Sequence, residues 1–240
     1  AAEIRHLKIH VYEERLRLKE AEFKQLQSKI SPHFYVNTLN IIYNLAAVRK
    51  YELVQKLARL MADHFNFTLR AGKPVVSLAE ELNHVRNYLE IQLIRFTKNF
   101  SYEITVPERY YDLPVPMLTI QPFVENAIIH GMKLGSEPFR ITIEAIPGAD
   151  PPDETVRIII RDNGKGFAPD ILERLQCWHE NGKPDCGHIG IGNVCHRLAM
   201  MFGDGMRCLF RNGENGGAIV ELILPLQYGR ERSRVQLAGR

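Results

Sequence analysis

Asp162-Asn163-Gly164-Lys165-Gly166-Phe167 decides how this chain is read, because an acid, an Asn-Gly turn and a second glycine follow directly on the β-like run over 155–161. A carboxylate at a strand end can accept a hydrogen bond from an exocyclic amine, and the glycines remove side chains from the approach. Two further stretches belong with it: Gln121-Pro122-Phe123-Val124-Glu125-Asn126-Ala127 upstream and Gly190-Ile191-Gly192-Asn193 downstream. Gly190 and Gly192, just before an expected helix, would turn backbone N–H groups and the positive helix end toward phosphates. Asn126 would give magnesium a neutral oxygen, the triphosphate completing the shell. Each stretch alone is a common turn or loop. In this order, within one α/β unit, they read as the parts of one ATP site, with Asp162 on adenine.

A second feature lies upstream. Ser31-Pro32-His33-Phe34-Tyr35-Val36-Asn37-Thr38-Leu39-Asn40 continues a heptad-like stripe of Ile9, Tyr12, Leu16, Phe23, Leu26 and Ile30, broken at Lys19, and places His33 in the next slot. A lone histidine in such a stripe is ordinarily a packed core residue. Beside an ATP site it gains a role, since neutral imidazole is a good nucleophile for a γ-phosphoryl group at physiological pH. Asn37, one turn on, shares its helix face and could position water or the phosphoryl group. Pro122 stands one helical turn before Asn126, a position where a carboxylate could activate water, and Glu125 points away from Asn126. Transfer is therefore expected over hydrolysis.

The rest of the chain supplies a frame. With 240 residues, 45% hydrophobic and 25% charged, it is an ordinary globular chain long enough for two modest cores. A net charge of +3 is too small to argue for nucleic acid. Apolar runs fall short of the roughly 18 residues a spanning helix needs, and no leader pattern opens the sequence. The expectation is a soluble cytoplasmic portion whose upstream sensor or membrane segment is missing. Residues 1–71 are expected to form dimerisation and phosphoacceptor helices, 72–226 the ATP-binding domain, and 227–240 a basic disordered tail. Apolar positions Leu39, Ile42, Leu45, Val48, Leu53, Leu57, Leu60, Met61 and Phe65 predict a second helical stretch, with a hairpin joint near Lys50. Two apolar stripes on one hairpin call for a second copy, hence a homodimer.

After the breaker Ala71-Gly72-Lys73-Pro74, Ser77-Leu78-Ala79-Glu80 has the form of a capping box and predicts a helix to about residue 96. Strands are expected over 100–106, 139–146, 155–161, 206–211 and 217–224, and helices over 116–130, 170–176 and 191–202. A polar loop fills 177–189. Cys177-Trp178-His179 and Cys186-Gly187-His188 repeat a Cys-x-His pattern, yet structural zinc favours Cys-x2–4-Cys, so a loop carrying thiols is the better reading.

Taken together, the chain resembles the cytoplasmic half of sensor histidine kinases of the autolysin-regulator (LytS-like) group. The resemblance rests on Pro32-His33-Phe34 with Asn37 to Asn40, Tyr88-Leu89-Glu90-Ile91-Gln92, Arg95-Phe96, Glu125-Asn126-Ala127-Ile128, His130-Gly131 and the two glycine motifs. It implies an α+β fold: an N-terminal helical hairpin that pairs into a dimeric four-helix bundle, then a two-layer α/β sandwich of the Bergerat type, shared with gyrase, Hsp90 and MutL ATPases. It implies that His33 is phosphorylated from ATP, that Asn126 contacts magnesium, that Asp162 reads adenine, that 177–189 is a mobile lid and that Gly164, Gly166, Gly190 and Gly192 cradle the nucleotide. The phosphoryl group would pass to an aspartate of a response-regulator receiver domain. Ser31, Tyr35-Val36 and Ile129 depart from the group's pattern. At Ile129 a lysine is common, and His130 and Lys133 are candidate replacements. Two other readings remain: a non-kinase ATPase clamp of the same superfamily, and a catalytically degenerate dimeric signalling scaffold.

Overall fold

The computed structural model describes residues 32–69, 74–132, 137–148, 154–181 and 189–226, excluding the side chains at 32, 33, 177–181, 189 and 204. The expected helix over 3–30, Lys133, Cys186, His188 and the tail over 227–240 lie outside the described residues. Contacts divide the chain into two compact units, with the boundary between Ala71 and Gly72.

In the first unit, α1 (Pro32–Ala47) packs on α2 (Tyr51–Thr68). Proline suits the opening position of α1, where its missing N–H has no helical partner to lose. Arg49, at φ 58, ends the helix, and the Lys50 N–H closes on the Leu45 carbonyl at 2.9 Å. On α2 the buried positions are Leu57, Met61, His64, Phe67 and Thr68, at helical spacing. They meet Phe34 and Tyr35, whose ring centroids lie 5.0 and 6.0 Å from that of His64, while Tyr35 lies 4.1 Å from Phe65. This cluster sets the rotation of α1: Phe34, Tyr35 and Thr38 are buried, whereas Leu39 and Val48 are exposed along with Val36 and Tyr43. Two adjacent aromatic rings bury more apolar area than the leucine register, so they win the inner face. Burial in this apolar setting lowers the His64 pKa to about 4.

The second unit contains β1 (Val75–Ser77), α3 (Leu78–Phe96), β2 (Phe100–Thr105), β3 (Pro114–Pro116), α4 (Gln121–Asn126), β4 (Phe139–Pro147), β5 (Thr155–Asp162), α5 (Pro169–Asn181), α6 (Ile189–Phe202), β6 (Arg207–Asn212) and β7 (Ala218–Pro225). The capping box is present: Ser77 Oγ accepts the Glu80 N–H at 3.2 Å, and the Ser77 N–H donates to the Glu80 carboxylate at 3.2 Å. Five strands form a mixed sheet in the order β2-β4-β5-β7-β6, parallel only between β2 and β4. Alternation along β4 buries Phe139, Ile141, Ile143 and Ala145 on one face. In register with them, Ile158, Ile160 and Asp162 of β5 and then Val220, Leu222 and Leu224 of β7 continue this inner face. Helices cover it, giving two layers and an α+β architecture. On the other face Glu221 is held between Arg157, at 2.5 Å, and Arg211, at 3.0 Å.

Three expectations are corrected here. Residues 116–120 are not helical: β3 pairs antiparallel with β1, Leu118 takes φ 59, and the helix starts only at Gln121, because distant side chains claim the backbone groups of this segment. At its far end α4 widens into a π turn over Ala127–Gly131. The expected loop over 177–189 is helical through Asn181, as α5 continues its amphipathic pattern.

Candidate functional site

A cavity of about 490 Å³ opens against the inner face of the sheet, within the roughly 300–1,000 Å³ usual for small-ligand sites. The three signature stretches converge on it. Asn126 at the end of α4 and His130 in the π turn line one side, Asp162 and Gly166 at the end of β5 line another, and Ile191 in the first turn of α6 lines a third. Apolar walls come from Phe123, Ile160, Ile171 and Val220, and Lys165 adds a cation. Among the described lining residues Asp162 is the single carboxylate.

The turn after β5 is built by its own side chains. Asp162 Oδ1 accepts the Gly164 N–H at 2.7 Å, while Asn163 Oδ1 accepts the Arg140 N–H at 2.7 Å and Asn163 Nδ2 donates to the Pro138 carbonyl at 3.1 Å. The Lys165 N–H then reaches the Gly131 carbonyl at 2.9 Å, and the Gly217 N–H reaches the Gly164 carbonyl at 3.0 Å. So the turn is tied to the π turn on one side and the β6–β7 hairpin on the other. Gly164 is required for space, since a Cβ there would sit 2.1 Å from the Gly131 carbonyl oxygen. Gly166, at φ 74, is required for conformation, and Asn212 secures the next residue by accepting the Phe167 N–H at 2.7 Å.

Of the residues expected from sequence, Asn126, His130, Asp162 and Gly166 line the cavity, and Gly164 supports its floor. Gly190 and Gly192 sit inside the first turn of α6, which starts two residues earlier than expected, and Ile191 between them lines the cavity. Lys133 lies outside the described residues. His33 lies on α1 in the other unit, where the helical register places position 33 with Val36, Asn37 and Asn40; Asn37 is half-buried. The pair Cys177 and His179 falls on α5, with its side chains outside the description.

Sequence reading missed Lys165 as a lining residue and missed two charges behind α4, one buried and one half-buried. Glu81 is fully enclosed, and its carboxylate accepts the N–H groups of Leu118, Ile120 and Gln121 at 2.9, 2.8 and 3.4 Å. The Arg197 guanidinium donates to the carbonyls of Leu118, at 2.7 Å, and Met117. Burial raises the Glu81 pKa, opposed by those three donors and by Arg197. Nearby, Gln121 Nε2 donates to Glu125 at 2.6 Å, and burial raises the Glu125 carboxyl. Glu125 does not line the cavity.

Comparison with known proteins finds two family matches. Residues 113–228 match the family described as histidine kinase-, DNA gyrase B- and HSP90-like ATPase, and residues 21–100 match the histidine kinase family. The chain belongs to the histidine kinase family. Within the family, the sensor protein LytS of Oceanobacillus iheyensis is 33% identical over 213 residues, 87% of this chain and 35% of that protein. The sensor histidine kinase YesM of Bacillus subtilis is 29% identical over 213 residues, 89% of this chain and 35% of that protein. This histidine kinase chain thus spans about a third of the length of these relatives. A solved histidine kinase domain, from a blue-light activated histidine kinase of Erythrobacter litoralis, is 15% identical with a TM-score of 0.47, covering 91% of this chain and 97% of that one. Among the described residues no helix is long and apolar enough to cross a membrane.

Proposed function

We propose that this chain is the kinase core of a two-component sensor, which binds ATP in the C-terminal cavity and phosphorylates His33. One observation carries the reading: three stretches far apart in sequence meet around one apolar cavity with a single carboxylate among its described lining residues, in a chain that also bears a helix-borne histidine. The donor set fits the nucleotide. Asp162 would accept the exocyclic amine of adenine between apolar walls, and His130, Lys165, Lys133 and the N-terminal turn of α6 at Gly190 and Gly192 would face the phosphates. Asn126 would give magnesium one neutral oxygen.

Transfer is favoured over hydrolysis by what stands near Asn126. Pro122 has no acid–base group, and Glu125 is occupied by Gln121. In the transfer step the bond from the γ-phosphorus to the ADP oxygen breaks as a bond to an imidazole nitrogen of His33 forms, with Asn37 available to orient the entering group. A receiver-domain aspartate would then take the phosphoryl group. The exposed residues Val36, Leu39, Tyr43 and Val48 suit burial in a homodimer of the helical unit. In the full-length protein this portion would sit on the cytoplasmic side of a membrane-anchored sensor.

The test is incubation with γ-labelled ATP and magnesium. Acid-labile, base-stable protein phosphate is expected in the wild type and absent in His33→Gln. Label retained in His33→Gln, or steady ATP turnover without phosphoprotein, rejects the proposal, the latter in favour of an ATPase clamp.

A further inference from the structure

The segment 117–121 is gripped from two sides by charged side chains, a buried carboxylate and a half-buried guanidinium. Glu81, one turn into α3, takes its N–H groups at Leu118, Ile120 and Gln121, and Arg197, in the third turn of α6, takes its carbonyls at Met117 and Leu118. Leu118 contributes a group to each partner and holds φ 59, a conformation that a leucine keeps only when its surroundings enforce it. Burying a carboxylate and half-burying a guanidinium is costly, and a turn that had only to connect β3 to α4 would need neither. What the pair joins is specific. Gln121, the last residue gripped, is the first of α4, which ends at Asn126 on the cavity, and Arg197 belongs to the helix whose Ile191 lines the same cavity.

We infer that Glu81 and Arg197 are positioning residues of the nucleotide site, which set the backbone of 117–121 so that α4 carries Asn126 into register with the α6 wall. The inference rests on the reading of the cavity as an ATP site. Its consequence is selective. Asn126 serves the magnesium and triphosphate end, whereas Asp162, which serves the adenine end, is fixed by its own turn. Arg197→Lys keeps the charge but cannot fork to two carbonyls. Glu81→Gln keeps the shape but turns an amide NH2 toward N–H donors.

The experiment is calorimetry on the whole chain with magnesium ATP and, separately, with adenosine, for wild type, Arg197→Lys and Glu81→Gln. Expected is a loss of about tenfold or more in magnesium ATP affinity with adenosine affinity within about twofold of wild type. Equal weakening of both ligands would mean general loosening and would overturn the positioning role, as would unchanged binding of both. Wild type that binds no magnesium ATP overturns the ATP reading itself and the inference with it. Should the variants fail to fold, amide exchange in the wild type decides: the Leu118 and Ile120 amides are expected to slow with magnesium ATP more than with adenosine, and indifference to the nucleotide overturns the inference.

Discussion

Substituting Gly164 by alanine tests whether the cavity is held open by close backbone packing. The new Cβ would lie 2.1 Å from the Gly131 carbonyl oxygen and 2.8 Å from the Phe139 ring. A carbon needs at least about 3.2 Å from such an oxygen, so the turn and the π turn must part by about 1 Å. That stretches the Lys165 N–H bond to Gly131, now 2.9 Å, past hydrogen-bonding range. A lost bond with a buried carbonyl left behind costs about 1–3 kcal/mol, and the overpacking costs a similar amount, giving about 2–6 kcal/mol in all. Urea unfolding of the C-terminal unit should show that loss, and calorimetry should show nucleotide affinity falling with it. The contrasting substitution is Gly190→Ala, where a Cβ meets nothing within 4 Å. There the chain should be as stable as wild type or up to about 1 kcal/mol more stable, with ATP affinity within about twofold, because that glycine serves through its backbone. If Gly164→Ala matched wild type in both measurements, the argument from space would be refuted.

Two further outcomes are expected. His64 titrates near 4 in the fold against about 6.5 in an unfolded chain, so between those values the unfolded state takes up a proton that the fold refuses. Stability of the helical unit is therefore flat above about pH 7 and declines as pH falls toward 4, by at most about 3 kcal/mol. The urea midpoint of that unit followed across pH should slope more steeply in wild type than in His64→Leu, and equal slopes would count against the assignment. Ser77→Ala removes the hydroxyl that receives the Glu80 N–H and should cost about 1 kcal/mol by urea unfolding. A change below about 0.3 kcal/mol would mean that the box contributes little.

Several elements were legible because their causes are local. The capping box at Ser77, the period-two runs of β4 and β5 and the hairpin break at Lys50 depend on residues within a few positions of each other. The cavity was legible only in outline. Asn126, His130, Asp162 and Gly166 were nameable from motifs, and strand alternation alone would have added Ile160 beside Asp162. Lys165 was not legible as a lining residue, because whether a lysine in a glycine turn faces a cavity or solvent is set by contacts from elsewhere in the chain. The inner face of α1 was not legible, because an apolar stripe does not say which of two overlapping faces turns inward, and the Phe34–Tyr35 pair settled it.

The amino-acid order by itself determined the α+β class, the kinase signatures and most helices and strands, since propensity, periodicity and caps act over a turn or two. Tertiary structure alone decided that 116–120 is not helical and that Glu81 and Arg197 stand behind the site. Their partners lie 37 to 80 residues away, and a backbone group satisfied from that distance leaves no trace in its own neighbourhood.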